Sequence, residues 1–206
     1  MSQVPRVYNL FPLLAGALPR WRSHVERAAA MGFTWIFANA FHQAGYSGSL
    51  YSVKDHYAVD ARLVDGSTPP LEQLATMVRE ASELGLSVMM DLVINHTAFE
   101  SPLIREHPDR FRRDAQRQIV HPGAKDGKRR VVWRDLAEAD NAGSAAREAL
   151  WAYWRRLAPH YAGDEIHLGP AGLLIAYEVK PDGQAAGIRA DPVGTVPWHR
   201  STRPSD

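Results

Sequence analysis

The chain contains no cysteine among its 206 residues, which excludes a disulfide scaffold and a metal site built from thiolates. It also lacks a long hydrophobic run, since no apolar stretch approaches the roughly 20 residues that a membrane span needs. Its first sixteen residues hold a single basic residue, Arg6, and two prolines, whereas a signal peptide has a basic start and an uninterrupted apolar core. We therefore predict a cytoplasmic protein without a membrane-spanning segment.

No strong excess of either charge is present. The net charge is +1, with 45% hydrophobic and 23% charged residues, which is typical of a globular protein. Between Arg105 and Arg134, ten Lys or Arg residues stand against four Asp or Glu. Such a run could bind a phosphate-bearing partner, but it lacks the interleaved aromatics of a nucleic-acid platform and favours an exposed loop. We therefore predict no nucleic-acid partner.

Strands and helices alternate along the first half of the chain. Hydrophobic patterns predict strands at Arg6–Leu14, Phe33–Phe37 and Leu86–Ile94, with helices at Arg20–Met31 and Ser67–Leu84 between them. Nearly wholly apolar strands are typical of a sheet that is covered on both faces. The alternation therefore predicts an α/β fold with a parallel sheet and right-handed crossovers.

The segments between and after these elements are less regular. Ala40–Asp60 is predicted to be a long loop whose tyrosines and glycines suit a ligand-contacting surface better than a packed core. Residues 97–142 form an excursion that is too long for an ordinary connection, and a third helix follows from Ser144 to Pro159. Gly172–Lys180 could be a further strand. We interpret 163–206 as a divergent tail, either disordered or read from a shifted frame.

The run from Asp91 to His96 carries the most information about chemistry. The run begins with a carboxylate, continues as an apolar strand and ends with an amide and an imidazole. The active site of a parallel α/β barrel lies at the C-terminal ends of its strands. Alternation along the strand would place Asp91, Val93 and Asn95 on one side, with His96 at the exit. The same run could also be a buried strand with polar ends.

Three further motifs accompany this run, and together the four give the chain a family resemblance. They are Asn39-Ala40-Phe41, Ser49 to Tyr57, and Trp133 to Glu138 with Asn141. The chain resembles the N-terminal part of the catalytic domain of the α-amylase family, with particular similarity to amylase-like maltosyltransferases. The resemblance implies a (β/α)8 TIM barrel of which this chain supplies three or four of the eight strands. It also implies that residues 1–162 are the N-terminal half of that barrel and that 97–142 is an excursion after the third strand.

The resemblance implies contacts to an α-1,4-glucan or a maltooligosaccharide. Tyr51 would stack on the sugar, with a tyrosine that merely packs on the barrel rim as the alternative. Asp55 and Asn95 would also contact substrate, and His96 would hydrogen-bond the hydroxymethyl group of the sugar. Asp91 would organise the site through a bond to a nearby arginine. In many amylases the residue that matches Asn95 binds calcium. This chain shows no convincing further ligands, so we predict neither a metal nor another cofactor.

A retaining enzyme of this family needs a carboxylate nucleophile and a carboxylic acid about 5 Å apart. The segment 187–191 resembles the motif Gly-Phe-Arg-x-Asp of the nucleophile strand. This match would make Asp191 the nucleophile and Arg189 a substrate-site residue that keeps it ionised. The alternative is a chance match, because the 25 residues from Ala162 to Ala186 intervene between the third helix and this segment. No residue of this chain matches the proton donor or the transition-state stabiliser.

These gaps leave the activity open. We expect a chain that is truncated, or half of an assembly completed by another chain, with little turnover alone and with self-association through exposed barrel edges. The full family activity would be that of a retaining glycoside hydrolase or a maltosyltransferase. The alternative is a non-catalytic, glucan-binding or regulatory half-barrel that holds a glucan through Tyr51 and His96.

Overall fold

A computed structural model of the protein describes residues 5–126, 128–161, 163–168 and 175–179. The first part of the chain contains strand β1 (Val7–Leu10), helix α1 (Pro12–Ala15), helix α2 (Trp21–Ala30), strands β2 (Trp35–Ala38), β3 (His42–Ala44) and β4 (Val53–Val59), helix α3 (Pro70–Glu83) and strand β5 (Ser87–Leu92). It is followed by strand β6 (His96–Ala98), helix α4 (Pro102–Glu106), strands β7 (Gly123–Asp126), β8 (Arg129–Val132) and β9 (Leu136–Glu138), helices α5 (Ser144–Arg155) and α6 (Leu157–His160), and strands β10 (Gly163–Leu168) and β11 (Ile175–Val179). Single 3-10 turns lie at Leu18–Arg20, Ala61–Leu63 and Pro108–Arg110.

The central sheet has the strand order β1-β2-β5-β11-β10. Its first three strands are parallel, and Leu10, Ala38 and Met90 lie in one row across them. The carboxyl ends of β2 and β5 therefore lie side by side, which is where a parallel sheet places ligand-contacting loops. The predicted parallel arrangement is confirmed for these three strands.

One face of this sheet forms the main core. Side chains alternate along strands, and the residues of one face are almost fully buried: Leu10, Ile36, Ala38, Val88 and Met90. Helices α2 and α3 contribute apolar stripes to the same cluster: Trp21, Val25, Ala28, Leu74, Met77, Val78 and Ala81. The period-3.6 patterns that predicted both helices are confirmed.

Several predicted boundaries were wrong. The first strand ends at Leu10 instead of Leu14, because Pro12 begins helix α1. Proline is favourable at the first position of a helix, where a backbone N–H would have no partner within the helix. The third strand ends at Leu92, so the alternation predicted for Val93 and Asn95 does not continue beyond it. The predicted third helix divides after Arg155 into α5 and α6.

The segment Ala40–Asp60 is a folded hairpin, so the prediction of a surface loop was wrong. Strands β3 and β4 pair antiparallel within it, and Phe41 and Val53 are fully buried. Tyr51 and Tyr57 are half-buried and pack against the core, whereas Tyr46 is exposed. The paired backbone satisfies its own hydrogen bonds, which allows the apolar side chains to pack inward.

The strands that follow the excursion do not continue the parallel sheet. Strand β11 pairs antiparallel with β5 and also antiparallel with β10. The further strand expected within Gly172–Lys180 is thus present as β11, and it does not add a parallel strand to the sheet. Within the excursion, β6 pairs with β9 and β7 with β8 as two antiparallel ribbons. Across the described ranges, the helices are all too short or too polar to traverse a bilayer.

Candidate functional site

Tyr51 joins the loops at the carboxyl ends of β2 and β5. Its hydroxyl accepts a hydrogen bond of 2.9 Å from Nδ2 of Asn39, the residue after β2. Its carbonyl oxygen lies 2.9 Å from Nε2 of His96, the first residue of β6 after β5. We call the group Asn39, Tyr51, Asp91, Asn95 and His96 the Tyr51 site.

Asp91 is fully buried at the end of β5. Burial raises the pKa of its carboxyl to about 7, and the Tyr51 hydroxyl and nearby backbone N–H groups only partly oppose the rise. Within the described ranges, neither carboxyl oxygen receives a hydrogen bond of normal geometry. Burial and the Asp91 charge also raise the pKa of the Tyr51 hydroxyl. The predicted arginine partner of Asp91 is not among its described contacts.

The contact between His96 and Tyr51 fixes the tautomer of the imidazole. A carbonyl oxygen can only accept, so Nε2 of His96 carries the proton and Nδ1 is left as an acceptor. Burial lowers the pKa of His96, against the opposing effects of the Tyr51 carbonyl and of Asp135 and Glu138. His96 is therefore neutral at pH 7, with one fixed donor and one acceptor.

The Tyr51 site holds a surplus of hydrogen-bond acceptors. Among the described parts of the chain, its buried atoms without a hydrogen-bond partner are Oδ1 of Asn39, both carboxyl oxygens of Asp91, Oδ1 of Asn95 and Nδ1 of His96. All of these can accept, and buried acceptors favour a ligand or water that supplies donors. A polyhydroxylated ligand has this chemistry.

In the ranges that the structure describes, no group of three or more His, Cys, Asp or Glu side chains could hold a metal ion. Calcium also binds amide and backbone carbonyl oxygens, so the expectation that Asn95 holds no metal stays a prediction.

The other predicted site residues lie apart from this contact network or outside the described residues. Asp55 lies on β4, where its Oδ1 accepts a 2.8 Å hydrogen bond from the backbone N–H of Tyr57. Arg189 and Asp191 lie outside the described residues. Tyr51 and His96 are thus the two predicted site residues between which the structure gives a direct contact.

Asn39 and a pair of buried histidines were not predicted as site residues. The ring of His42 stacks on Phe41 at 4.4 Å and lies 5.8 Å from the ring of His56. Burial lowers the pKa of His56 to about 4 and that of His42 well below its ordinary value. The Tyr161 hydroxyl donates to the His56 carbonyl at 2.8 Å. The motifs around Asn39 and His56 could have indicated those two residues, whereas His42 had no comparable signal.

Comparisons with known proteins agree with this architecture. The profile of the family described as glycogen debranching enzyme, glucanotransferase domain, matches residues 6–112, just over half of the chain. An α-1,4-glucan:maltose-1-phosphate maltosyltransferase from Burkholderia pseudomallei is 26% identical over 157 residues, which cover 75% of this chain and 13% of that protein. A glucan 1,6-α-glucosidase from Streptococcus pneumoniae is 25% identical over 149 residues, covering 71% and 24%.

Solved structures show the same fold. A maltogenic α-amylase from Thermotoga neapolitana superposes with a TM-score of 0.63 at 23% identity, covering 78% of this chain and 38% of that one. An α-amylase from Lactobacillus plantarum gives 0.61 at 23% identity, covering 78% and 37%. This chain spans well under half of each of these proteins, a region consistent with part of their barrel. The chain belongs to the debranching-enzyme glucanotransferase family and, with it, to the α-amylase family, whose N-terminal region it matches.

Proposed function

We propose that the Tyr51 site binds an α-1,4-glucan or maltooligosaccharide. The observation that carries this proposal is the cluster of buried, unpartnered acceptors around a half-buried tyrosine ring. Sugar hydroxyls can donate to those acceptors, and an aromatic ring can pack on the apolar face of the sugar. In this proposal Tyr51 stacks, while His96 and Asn95 accept hydroxyl hydrogens.

Calorimetric titration with maltoheptaose tests the binding. We expect Tyr51→Ala to weaken affinity by at least about tenfold, equivalent to ~1.4 kcal/mol, and Tyr51→Phe to weaken it less because the ring remains. Tyr8→Phe is the matched control, since Tyr8 lies in the sheet away from the site and its hydroxyl contacts His24. Unchanged affinity in Tyr51→Ala, with the fold intact by circular dichroism, would reject the proposal.

We further propose that this binding serves a retaining glycoside hydrolase or a maltosyltransferase, in which Asp91 organises the site and Asp55 assists binding. Asp191 would be the nucleophile and Arg189 the cation that keeps it ionised. The relatives include a maltosyltransferase and a glucosidase, which supports both reaction types. Because no residue of the chain is assigned as proton donor, we propose that the chain has little turnover alone.

Product analysis distinguishes these activities. The protein is incubated with maltooligosaccharides, with and without maltose 1-phosphate or phosphate, and the reducing ends and released phosphate are measured. Chain extension that depends on maltose 1-phosphate supports the transferase, whereas water-dependent shortening supports the hydrolase. Turnover that survives in Asp191→Asn would reject Asp191 as the nucleophile.

A second candidate is a non-catalytic, glucan-binding half-barrel. It is favoured by the direct contact between Tyr51 and His96, which can hold a sugar without the nucleophile proposed at Asp191. Binding that Tyr51→Ala abolishes, without turnover in any assay, would support this candidate.

The unpaired edge of the central sheet offers a surface for self-association. Strand β1 is an edge strand, and Val7 at its start is exposed. We propose that copies associate through this edge, as unpaired strands do. Sedimentation that shows a monomer at all concentrations would reject this. A cytoplasmic location also remains our proposal and can be checked by cell fractionation.

A further inference from the structure

We infer that three exposed aromatic side chains, Tyr46, Phe99 and Trp133, form a second glucan-binding surface beyond the Tyr51 site. Their exposed fractions are 72%, 43% and 44%. Among the described residues, only one other aromatic ring, that of Phe11, is comparably exposed. This inference rests on the proposed function, because it names where the glucan chain continues after the Tyr51 site.

Hydrogen bonds, one of them to a side chain, connect the three segments that carry these residues. The N–H of Tyr46 donates to Oε1 of Glu100, the residue that follows Phe99. The N–H of Phe99 donates to the carbonyl oxygen of Asp135 at 2.7 Å, and the carbonyl of Trp133 accepts from Leu136 at 3.2 Å. Three separate segments of the chain thus deliver one aromatic residue each to adjoining positions.

A glycine permits this close approach. A Cβ atom at Gly45 would lie 2.6 Å from both the Cβ of Ala98 and Oε1 of Glu100. Any side chain at residue 45 would therefore push the Tyr46 segment away from the end of β6. The absence of a side chain at Gly45 therefore lets the Tyr46 segment approach residues 98–100, which include Phe99.

The Phe99 ring has one aromatic packing partner that helps to orient it. It lies 5.1 Å from the ring of His121. His121 is itself held, because its Nδ1 lies 2.7 Å from the carbonyl oxygen of Leu136. A preordered ring loses little conformational entropy on binding, which favours its use as a contact surface.

The position of the surface points to a sugar chain. Strand β6 begins with His96 of the Tyr51 site, and Phe99 follows its last residue. Three residues of extended strand span ~10 Å, so one ligand longer than a single sugar could contact both places. Two exposed charged residues, Glu100 and Arg134, directly follow Phe99 and Trp133 in the sequence. Aromatic planes with polar neighbours suit a ligand with both apolar faces and hydroxyl groups.

The dependence of affinity on glucan length tests the inference. We expect the wild-type protein to bind maltoheptaose about tenfold more tightly than maltose, and the double variant Phe99→Ala/Trp133→Ala to lose that difference while its maltose affinity stays unchanged. The matched control is Met31→Ala/Leu84→Ala, which removes two exposed apolar side chains at the opposite end of the sheet. This control should keep the full difference.

Two outcomes separate the two hypotheses. If neither sugar binds the wild-type protein, the proposed function fails. If both bind and the double variant retains the length dependence, only the second surface is rejected, and the rings are then open to another partner such as a protein. As a second measurement, maltoheptaose should shift the indole resonance of Trp133, assigned from its loss in Trp133→Phe. An unmoved resonance would overturn the inference even if the double variant failed to fold.

Discussion

The two faces of the central sheet differ in how completely they are covered. The face toward α2 and α3 is sealed, with Ile36 and Ala38 fully buried. The opposite face carries Val7, Asn9, Trp35, Phe37 and Met89, which are half-buried or exposed. At its end, this less covered face bears Asp91, a buried carboxyl.

The two faces therefore contribute differently to folding stability and to ligand binding. The sealed face gains the free energy of apolar burial that drives folding. The other face gains less, and it also keeps a carboxyl whose charge is disfavoured by burial. A buried carboxyl with a strongly shifted pKa is found more often at a ligand-binding or catalytic site than at a purely structural position.

Truncating one side chain on each face should give unequal losses of stability. Ile36→Ala leaves a cavity in the sealed face and should lower the free energy of unfolding by about 2–5 kcal/mol. Met89→Ala on the opposite face should lower it by about 1 kcal/mol, because Met89 is only partly buried. Urea denaturation of both variants measures the difference. Equal losses would mean that the second face is as well packed as the first.

Replacing Asp91 should change how stability depends on pH. Its folded pKa of about 7 lies above the ordinary 3.8, so the native state keeps a proton that the unfolded chain releases. The resulting stability is complete below pH 3.8 and is lost as pH rises through 7, by about 3 kcal/mol between pH 5 and 8. Asp91→Asn should remove this loss in thermal or urea unfolding across that range.

The wild-type profile also tests the predicted arginine partner. If a guanidinium pairs with Asp91, the pKa of the carboxyl falls and the profile becomes flat. A steep loss of stability between pH 5 and 8 in the wild-type protein would contradict the predicted pairing of Asp91 with an arginine.

The buried histidines should give the opposite dependence. Burial lowers the pKa of His56 to about 4 from 6.5, so the unfolded chain binds a proton that the native state excludes. The stability from this group is complete above pH 6.5 and is lost as pH falls toward 4, by about 2 kcal/mol between pH 7 and 5. Nε2 of His56 lies 3.0 Å from the Val93 carbonyl oxygen. His56→Gln keeps a donor for that carbonyl, and its loss of stability in acid should be smaller by that amount. An identical acid profile would reject the assignment.

Removing the amide that holds Tyr51 should have the smallest effect on stability. Asn39→Leu deletes the 2.9 Å hydrogen bond to the Tyr51 hydroxyl, which is worth about 1 kcal/mol. We expect weaker maltoheptaose binding as well, because the ring loses a fixed orientation. Asn9→Leu is the control, since Asn9 is an exposed residue of the same type on β1. Calorimetry that shows equal affinities for the two variants would contradict this role.

The sequence contained the information for the parallel core but not for the segments around it. Helices α2 and α3 followed from their apolar period, and the three parallel strands followed from short apolar runs between them. The β3–β4 hairpin was missed because its apolar residues are interspersed with glycine and tyrosine, which read as a loop. The antiparallel direction of β11 depends on pairing between distant residues, which local pattern does not encode.

The candidate site, like the fold, could be predicted only in part from the sequence. Tyr51 and His96 were singled out separately, and the structure joins them through one hydrogen bond. Their contact through the Tyr51 backbone could not be predicted, because a residue pattern describes side chains and not which carbonyl a ring will reach. The raised pKa of Asp91 likewise arises from three-dimensional burial.

The antiparallel pairing of β11 has a consequence for barrel assembly. Strand β11 occupies the side of β5 opposite β2 through five residue pairs, from Ile175 with Leu92 to Val179 with Val88. One strand edge holds a single partner at a time. A fourth parallel strand could therefore join β5 only after those pairs separate, so that closing a barrel around this sheet would be an exchange of partners rather than an addition.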